Sequence, residues 1–304
     1  MELSVVVPVY ACAPCIQELV ERLEIVIPQL GISLFEIILV DDFSPDNAWA
    51  KIKELKNRFS RVKGIRFTRN FGQHYAISAG LAEACGNWVF VMDCDLQDPP
   101  ESFPLLWSKK DEGFDVIFAA RKKRTHTLMR RLLASFHARV LSFVTGKKIE
   151  PSHGTFSLIS RRVVEKFNLF TERKRHYSYI VKWLGFPMTE VEIQQNPRLH
   201  GRSSYNFLKL LQHSTDGFLF QAQDMLRVIV YLGFLFNLMG FVLAGYFIYR
   251  YIINTALPGW TSLVVLLLVC SGLISISVGF VGIYVGEIFD QLKNRPLYVI
   301  DEKT

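Results

Sequence analysis

The stretch NWVFVMDCDLQDPPE, residues 87–101, decides the fold that this chain predicts. Residues 88–92 form a short apolar run of β-branched and aromatic side chains, typical of a strand buried on both faces. The run ends at once in Asp93-Cys94-Asp95. Pro99-Pro100 then indicate the start of a helix, because the N–H groups of the first helical turn have no partner within the helix and proline lacks this group. Two carboxylates in this position lie where open α/β sheets bind ligands.

Asp93 and Asp95 supply the oxygen ligands that Mg²⁺ and Mn²⁺ bind, especially where phosphate oxygens complete the coordination shell. The alternative is an ordinary acidic turn after a strand, because Asp is common in turns. The pair alone does not separate a metal site from a turn. The rest of the chain has to decide between them.

The same pattern of apolar strand and amphipathic helix repeats along the first half of the chain. Strands are expected over residues 3–9, 35–40, 62–68, 88–92 and 116–120, with helices over 16–27, 75–84 and 101–112. The helix that follows the second strand should be capped by Ser44 or Asp46. Residues 156–160, a helix from 161 and residues 188–193 complete the globular part. This alternation predicts βαβ units and a mostly parallel sheet.

Polar residues follow several of the expected strands. Because the carboxyl ends of parallel strands meet at one edge, these residues can share a crevice. They are Asp41-Asp42, Arg69-Asn70, Asp93-Cys94-Asp95 and Arg121.

Composition limits the partners. Half of the 304 residues are hydrophobic, which is high for a soluble enzyme, and the net charge is +7. A positive surface fits anionic lipid headgroups or phosphorylated substrates. The sequence carries no familiar nucleic-acid-binding module, so nucleic acid is not an expected partner. No secretory signal pattern opens the chain, so the N-terminal part is expected to stay in the cytosol.

The composition changes near residue 206. Residues 206–227 mix apolar and polar positions, as interfacial amphipathic helices do. Residues 228–286 contain two long runs with almost no charge, joined by a turn, and predict a transmembrane hairpin, although buried helices of a soluble domain are the alternative. Positive charges near the ends of the runs favour a cytoplasmic catalytic part and a cytoplasmic tail over residues 287–304. Small residues on one face, such as Gly282 and Gly286, would allow close packing between spans or subunits, hence a possible homo-oligomer.

The five cysteines argue against a disulfide framework because their number is odd. Cys12 and Cys15 form a C-x-x-C after the first strand, the placement of a thioredoxin-like redox pair. A zinc site would need a second such pair, which the chain lacks. The plainer interpretation is that both thiols line the loop after the strand. The chain also has neither a P-loop nor a G-x-G-x-x-G fingerprint, which disfavours a P-loop kinase and a dinucleotide redox enzyme.

A carboxylate pair, several arginines and a membrane part together suit a phosphorylated donor and a lipid acceptor. Four motifs then resemble family 2 glycosyltransferases, most closely the polyprenyl-phosphate glycosyltransferases related to dolichol-phosphate mannose synthase. The motifs are VVVPVY at 5–10, VDD-x-S at 40–44, RNFG at 69–72 and D-x-DLQDPPE at 93–101. The resemblance covers nearly the whole chain, and the last motif is the most specific. It implies a GT-A fold for residues 1–205.

The resemblance also implies residue roles. Pro8 and Tyr10 would flank the nucleotide base, and Val40 with Asp42 would contact base and ribose. Asp93, Cys94 and Asp95 would contact the nucleotide and its diphosphate. Asp93, Asp95 and Gln97 would bind Mg²⁺ or Mn²⁺. Arg121 and one of Arg130 or Arg131 would bind phosphate groups, and Arg198 would bind the lipid phosphate.

Three positions depart from the family pattern. Ala11-Cys12 stands where relatives have Asn-Glu, which removes a carboxylate near the base. Ser204 replaces a frequent Lys after Gly-x-Ser, so that this phosphate contact is either absent or supplied by Arg202. The sequence HGTFS at 153–157 replaces Ser-Gly-Phe-Arg, which changes the expected sugar pocket.

The expected activity is transfer of a sugar from a nucleotide sugar, with UDP favoured, to a polyprenyl phosphate, with undecaprenyl phosphate favoured. The reaction would be a single inverting displacement at the cytoplasmic face of a bacterial cell membrane. Two alternatives remain open. One is a processive polysaccharide synthase, and the other is a non-catalytic membrane protein that binds nucleotide sugar or lipid-linked sugar.

Overall fold

The computed structural model describes residues 1–121, 154–173, 175–194, 249 and 260–304. These residues fall into two compact units. The first contains the described residues up to 194 together with 295–304, and the second contains residue 249 and residues 260–294. The domain boundaries expected at 205, 227 and 286 stay predictions, because two of them lie outside the described residues.

The first unit is built on one sheet of eight described strands, in the order β7-β5-β6-β4-β1-β2-β3-β8. The strands are β1 Leu3–Val9, β2 Phe35–Asp41, β3 Val62–Phe67, β4 Trp88–Val91, β5 Val116–Arg121, β6 Ser157–Ser160, β7 Met188–Ile193 and β8 Ile300–Lys303. The pairs β1–β2, β1–β4, β2–β3 and β5–β7 are parallel. The predicted α/β fold with a mostly parallel sheet is therefore confirmed.

Helices connect these strands. In the first unit they are α1 Ala13–Val26, α2 Ala48–Arg58, α3 Gln73–Glu83, α4 Phe103–Trp107, α5 Arg161–Asn168 and α6 Tyr177–Trp183. Short 3₁₀ turns lie at Pro28–Leu30, Pro100–Ser102 and Lys110–Glu112. In the second unit, α7 runs over Trp260–Leu292.

The local sequence explains why the sheet is a buried central layer. Every residue of β1 and of β2 is buried, which is why these strands are almost continuously apolar rather than alternating. Helix α3 packs closely on β1. A Cβ added at Gly80 would lie 2.3 Å from Val6 Cγ1, so only glycine allows this approach.

Three features differ from the sequence expectation. The helix predicted over 101–112 is wrong as one element, because Pro104 has no N–H for a bond to the preceding turn, and the segment divides into 3₁₀ turns around α4. Strand β6 runs antiparallel to both β4 and β5. Strand β8 adds an antiparallel edge to β3, and this strand was not expected from the sequence.

Side chains near the C-terminus support the β8 edge. The Trp49 indole Nε1 donates to Glu302 at 2.7 Å, and Tyr298 stacks on Phe67 with ring centroids 5.1 Å apart. The Gly64 N–H donates to Thr304 Oγ1 at 2.9 Å. Residues 295–304 therefore belong to the sheet unit.

The structure describes the second of the two predicted membrane spans but almost none of the first. Residues 228–253 lie outside the described residues except for Tyr249, and residues 261–286 fall within the single helix α7. No helix formed by the described residues is at once long enough and apolar enough to cross a membrane. The transmembrane assignment stays a prediction from sequence.

Candidate active site

The carboxyl ends of β1, β2, β3 and β4 lie at one edge of the sheet because these strands are parallel. The backbone is unusual there. Ala11, Phe43 and Leu96 follow β1, β2 and β4, and each has a positive φ, of 52°, 55° and 56°. Non-glycine residues in this region are strained, and such strain concentrates at functional sites. The three strained residues therefore support the prediction that a ligand binds at this edge of the sheet.

Asp93 is held by residues from two other elements. The Gln73 side-chain Nε2 donates to Asp93 Oδ1 at 2.6 Å, and the Thr155 hydroxyl donates to the same oxygen at 2.7 Å. Gln73 is the first residue of α3, and Thr155 lies just before β6. Because β6 is antiparallel to β4, with Ser157 paired to Val91, the residues before β6 lie beside the residues after β4.

Asp95 is part of a tight local turn. The Gln97 backbone N–H donates to Asp95 Oδ1 at 3.2 Å across the left-handed Leu96. Asp93 and Asp95 are both half-buried, whereas Cys94 between them is buried. The chain therefore presents the two carboxylates at the edge of the sheet while the intervening thiol packs inside.

Cys12 and Cys15 form no disulfide, and all five cysteines are free thiols. The Cys12 thiol donates to the Cys94 carbonyl at 3.2 Å, which joins the loop after β1 to the acidic loop after β4. Hydrogen bonding to Cys94, together with burial, raises the pKa of Cys12, and burial raises the pKa of Cys15 to about 12. Both thiols are protonated at neutral pH, which fits the packing interpretation and not a reactive redox pair.

Asp42 holds the loop that leads into α3. Its carboxylate accepts the Phe71 N–H at 2.7 Å and the Gly72 N–H at 2.8 Å. Gly72 has a φ of 113°, which a residue with a side chain rarely adopts. Burial raises the pKa of Asp42 to about 6, and Asp41 adds to the rise, although the two N–H groups act in the opposite direction. The predicted contact of Asp42 with base and ribose stays a prediction.

Ser44 and Asp46, the residues expected to cap α2, form hydrogen bonds with the loop after β1. Asp46 accepts the Ala48 N–H at 3.3 Å and, through its other oxygen, the Ala13 N–H at 2.9 Å. The predicted cap is nevertheless wrong, because Asn47 occupies the N-cap position of α2 and makes no side-chain capping bond. Ser44 accepts the Ala11 N–H at 3.3 Å. These bonds tie the loop after β2 to the loop after β1 and so order one side of the edge.

The residues predicted near the nucleotide base lie together. Pro8 and Val40 are directly opposite each other in the β1–β2 register, and both are buried. Tyr10, just past β1, is 47% exposed. Tyr10 is therefore accessible from solvent, whereas Pro8 and Val40 are not, and the contacts of all three with a nucleotide base stay predictions.

The basic residues are only partly described. Arg121 is the last residue of β5, and this strand runs in the same direction as β4, so Arg121 lies at the same edge. The other predicted phosphate-binding residues lie outside the described residues, as does His153; they are Arg130, Arg131, Arg198, Arg202 and Ser204.

A cluster of ring side chains lies next to Gln73. The His74 and His176 rings are 4.2 Å apart, and His176 is equally close to Tyr179. The Tyr177 N–H donates to His74 Nδ1 at 3.4 Å. These contacts fix the start of α3 against α6, and thereby the backbone that carries Gln73.

The donor set of the acidic loop fits a hard divalent cation. Asp93 and Asp95 offer carboxylate oxygens at the sheet edge, Asp93 is oriented by two hydrogen bonds, and the buried Cys94 thiol leaves an oxygen-only site. Such ligands suit Mg²⁺ or Mn²⁺ with phosphate oxygens from a nucleotide. Within the described ranges, no group of three or more His, Cys, Asp and Glu side chains is placed to hold a metal ion.

Sequence reasoning missed Gln73 and Thr155 as parts of the site. Gln73 directly follows RNFG, one of the motifs that carry the family resemblance, whereas Thr155 lies within HGTFS, a segment that departs from the family pattern. The position of Gln73 beside RNFG is therefore a signal that could have found it, and Thr155 had no comparable signal. The approach of Thr155 to Asp93 depends on the direction of β6, which the sequence did not predict.

Fold and site together define a class, the α/β enzymes that bind their ligand in the crevice at the carboxyl edge of a mostly parallel sheet. Residues 4–167 match the profile of Glycosyl transferase family 2. The chain belongs to this family and is a glycosyltransferase.

Relatives along the whole chain agree with this assignment. An uncharacterized glycosyltransferase, YkcC of Bacillus subtilis, is 35% identical over 304 residues, which cover 99% of this chain and 94% of that protein. A bactoprenol glucosyl transferase of Shigella phage SfII is 32% identical over 305 residues, covering 99% of this chain and 97% of that protein.

A solved structure shows the same fold. The mannosyl-3-phosphoglycerate synthase of Rubrobacter xylanophilus is 14% identical, with a TM-score of 0.53, and the likeness covers 75% of this chain and 74% of that one. At this identity the likeness concerns the fold alone. It agrees with the GT-A-like architecture that the strand order defines.

Proposed function

We propose that this protein transfers a sugar from a nucleotide sugar, with a UDP-sugar favoured, to a polyprenyl phosphate, with undecaprenyl phosphate favoured. The observation that carries the proposal is the carboxylate pair Asp93 and Asp95 at the ligand-binding edge of a family 2 glycosyltransferase. Full-length similarity to a bactoprenol glucosyl transferase supports the polyprenyl acceptor.

The reaction is a single displacement at the anomeric carbon. An oxygen of the acceptor phosphate forms the new bond to that carbon, the bond from the carbon to the diphosphate oxygen breaks, and the nucleoside diphosphate leaves with the electron pair. A phosphate monoester has a second pKa near 6 and is largely anionic at pH 7, so the attack needs no side-chain base. One in-line attack inverts the anomeric configuration, which gives a β-linked product from an α-linked donor.

The chain's own residues align two anionic groups that would otherwise repel each other. Asp93, Asp95 and Gln97 are the proposed ligands of Mg²⁺ or Mn²⁺, which, when bound there, supplies positive charge beside the diphosphate. Tyr10 packs on the nucleotide base, and Asp42 orders the loop beside it. The arginines hold phosphate oxygens: Arg121 and one of Arg130 or Arg131 bind phosphate groups, and Arg198 with Arg202 binds the lipid phosphate.

The proposed location is the cytoplasmic face of a bacterial cell membrane. Two features support it: the nearly uncharged runs 228–253 and 261–286, and the exposed apolar side chains of α7, such as Leu267, Ile274 and Val285. A lipid acceptor also requires access to the bilayer. The orientation is tested by labelling the sheet unit with a reagent that does not cross membranes. The reagent should label this unit in inverted membrane vesicles and not in intact cells.

The decisive experiment is a transfer assay with the purified full-length protein in detergent. It uses a panel of labelled UDP- and GDP-sugars, undecaprenyl phosphate and Mg²⁺, and reads the lipid-linked product by mass spectrometry. One sugar should be transferred, and Asp93→Asn or Asp95→Asn should reduce the rate at least about a hundredfold. Asp111→Asn is the matched control, because Asp111 is an exposed carboxylate whose ion-pair partner among the described residues is the neighbouring Lys110.

The other outcomes separate the alternatives. A product with many sugars would favour a processive polysaccharide synthase. Binding of nucleotide sugar without transfer or hydrolysis would favour a non-catalytic binding protein. Full transfer by both aspartate variants would overturn the proposed site.

A further inference from the structure

Gln73 and Thr155 converge on one oxygen of Asp93 from elements that are distant in the chain. The Gln73 amide and the Thr155 hydroxyl lie 2.6 and 2.7 Å from Oδ1, at sequence separations of 20 and 62 residues. Hydrogen bonds to a carboxylate at these lengths are stronger than those between neutral groups. Two of them on one oxygen fix the rotation of the carboxylate about its Cβ–Cγ bond.

Backbone contacts hold both donors in place. Asp42 binds the N–H groups of Phe71 and Gly72, and Gln73 is the next residue. The paired register of Val91 with Ser157 sets Thr155 opposite Asp93 two residues further along. The orientation of the Asp93 carboxylate is therefore set by contacts that span α3, β4 and β6, and not by its own loop alone.

From this arrangement we propose that Gln73 and Thr155 are positioning residues that orient the Asp93 carboxylate for a divalent cation. The proposal rests on the proposed function, because it assigns Asp93 to the metal. Groups that hold a metal ligand in its binding orientation commonly change metal affinity by 10- to 100-fold when they are lost. A purely structural role, joining α3 and β6 to β4, would change stability but not that affinity.

The test measures Mn²⁺ binding to the full-length protein directly, by electron paramagnetic resonance in the presence of UDP. Thr155→Val removes the hydroxyl and keeps the side-chain shape, and Gln73→Met removes the amide and keeps the length. Each is expected to raise the Mn²⁺ dissociation constant at least about tenfold. Thr155→Ser retains the hydroxyl and should stay within about threefold of the original affinity.

A matched control exists at the other end of β6. The Ser160 hydroxyl donates to the Asp115 carboxylate at 2.6 Å, which is the same chemistry away from the site. Ser160→Ala should leave the Mn²⁺ dissociation constant unchanged. Since Gln73 and Thr155 act on one oxygen, the double variant should show a non-additive loss that approaches that of Asp93→Asn.

The outcomes distinguish this inference from the proposed function. If Asp93→Asn abolishes Mn²⁺ binding while Thr155→Val and Gln73→Met bind like the original protein, the positioning role is wrong and the function stands. If Asp93→Asn binds Mn²⁺ normally, the metal site itself fails. Raised dissociation constants with transfer restored at high Mn²⁺ would establish positioning.

Discussion

Strand β2 carries a buried carboxylate at each end, Glu36 near its amino end and Asp42 just past its carboxyl end. They are 1% and 2% exposed. Glu36 accepts the Ser4 hydroxyl at 2.6 Å and the Cys85 N–H at 2.8 Å. The Lys63 ammonium lies 2.6 Å from its other oxygen, as an ion pair. Asp42, in contrast, has two backbone N–H partners and, among the described residues, no basic group within ion-pair distance.

The electrostatics of the two groups differ accordingly. Burial acts to raise the pKa of Glu36, but Lys63, Ser4 and the Cys85 N–H together hold it below its ordinary value. Burial raises the pKa of Asp42 to about 6. Glu36 has a cationic partner that favours its charged form, whereas Asp42 keeps a destabilised charge, as groups in functional sites often do. We therefore expect Glu36 to contribute to stability and Asp42 to contribute to ligand binding.

The largest expected effect is a loss of stability at the Glu36 end. Glu36→Leu leaves the Ser4 hydroxyl and the Cys85 N–H without their acceptor, and we expect the free energy of unfolding to fall by about 3–4 kcal/mol. Glu36→Gln keeps an acceptor and should lose less. Urea unfolding measures both. UDP binding by the folded protein should persist, so an intact unfolding midpoint with lost UDP binding would contradict the assignment.

A smaller effect is the pH dependence that Asp42 adds. Its pKa is about 6 in the folded protein against an ordinary value of 3.8, so the folded state binds the proton more tightly. This stabilisation is complete below about pH 4 and is lost as the pH rises through about 6, amounting to at most about 3 kcal/mol. Urea midpoints of the original protein and of Asp42→Asn at several pH values measure it.

The sign makes the pH test specific. Relative to the original protein, Asp42→Asn should gain stability as the pH rises from 4 to 7. Glu36 acts in the opposite sense, because its lowered pKa gives stability above its ordinary value of 4.5 that is lost as the pH falls below it. If the urea midpoints of the original protein and of Asp42→Asn change in parallel with pH, Asp42 does not contribute the expected pH dependence.

The smallest effect concerns binding at the Asp42 end. In Asp42→Asn, one oxygen becomes an NH₂ group that faces the N–H of Phe71 or Gly72, which loosens the loop before Gln73. We expect UDP to bind about tenfold more weakly, or roughly 1.4 kcal/mol, by calorimetry. Glu36→Gln serves as the control with unchanged UDP affinity. If Asp42→Asn and Glu36→Gln bind UDP with equal affinity, the assignment of ligand binding to the carboxyl edge is wrong.

The sequence by itself determined the parts of this protein that depend on local pattern. Continuous apolar runs marked β1, β2 and β4, and the residues that follow them put Asp42, Asp93 and Asp95 at one edge, because parallel strands end together. Four motifs, of which residues 93–101 are the most specific, resembled the family, and the match over residues 4–167 confirmed that resemblance.

Tertiary structure alone decided the contacts that arise between distant segments. The reversed direction of β6 brings Thr155 to Asp93, and the β8 edge joins the C-terminus to β3. Pairing direction and register are set by packing across the whole sheet and leave little local signal in so short a strand. For the same reason the raised pKa of Asp42 could not be predicted, since it follows from burial in the assembled fold.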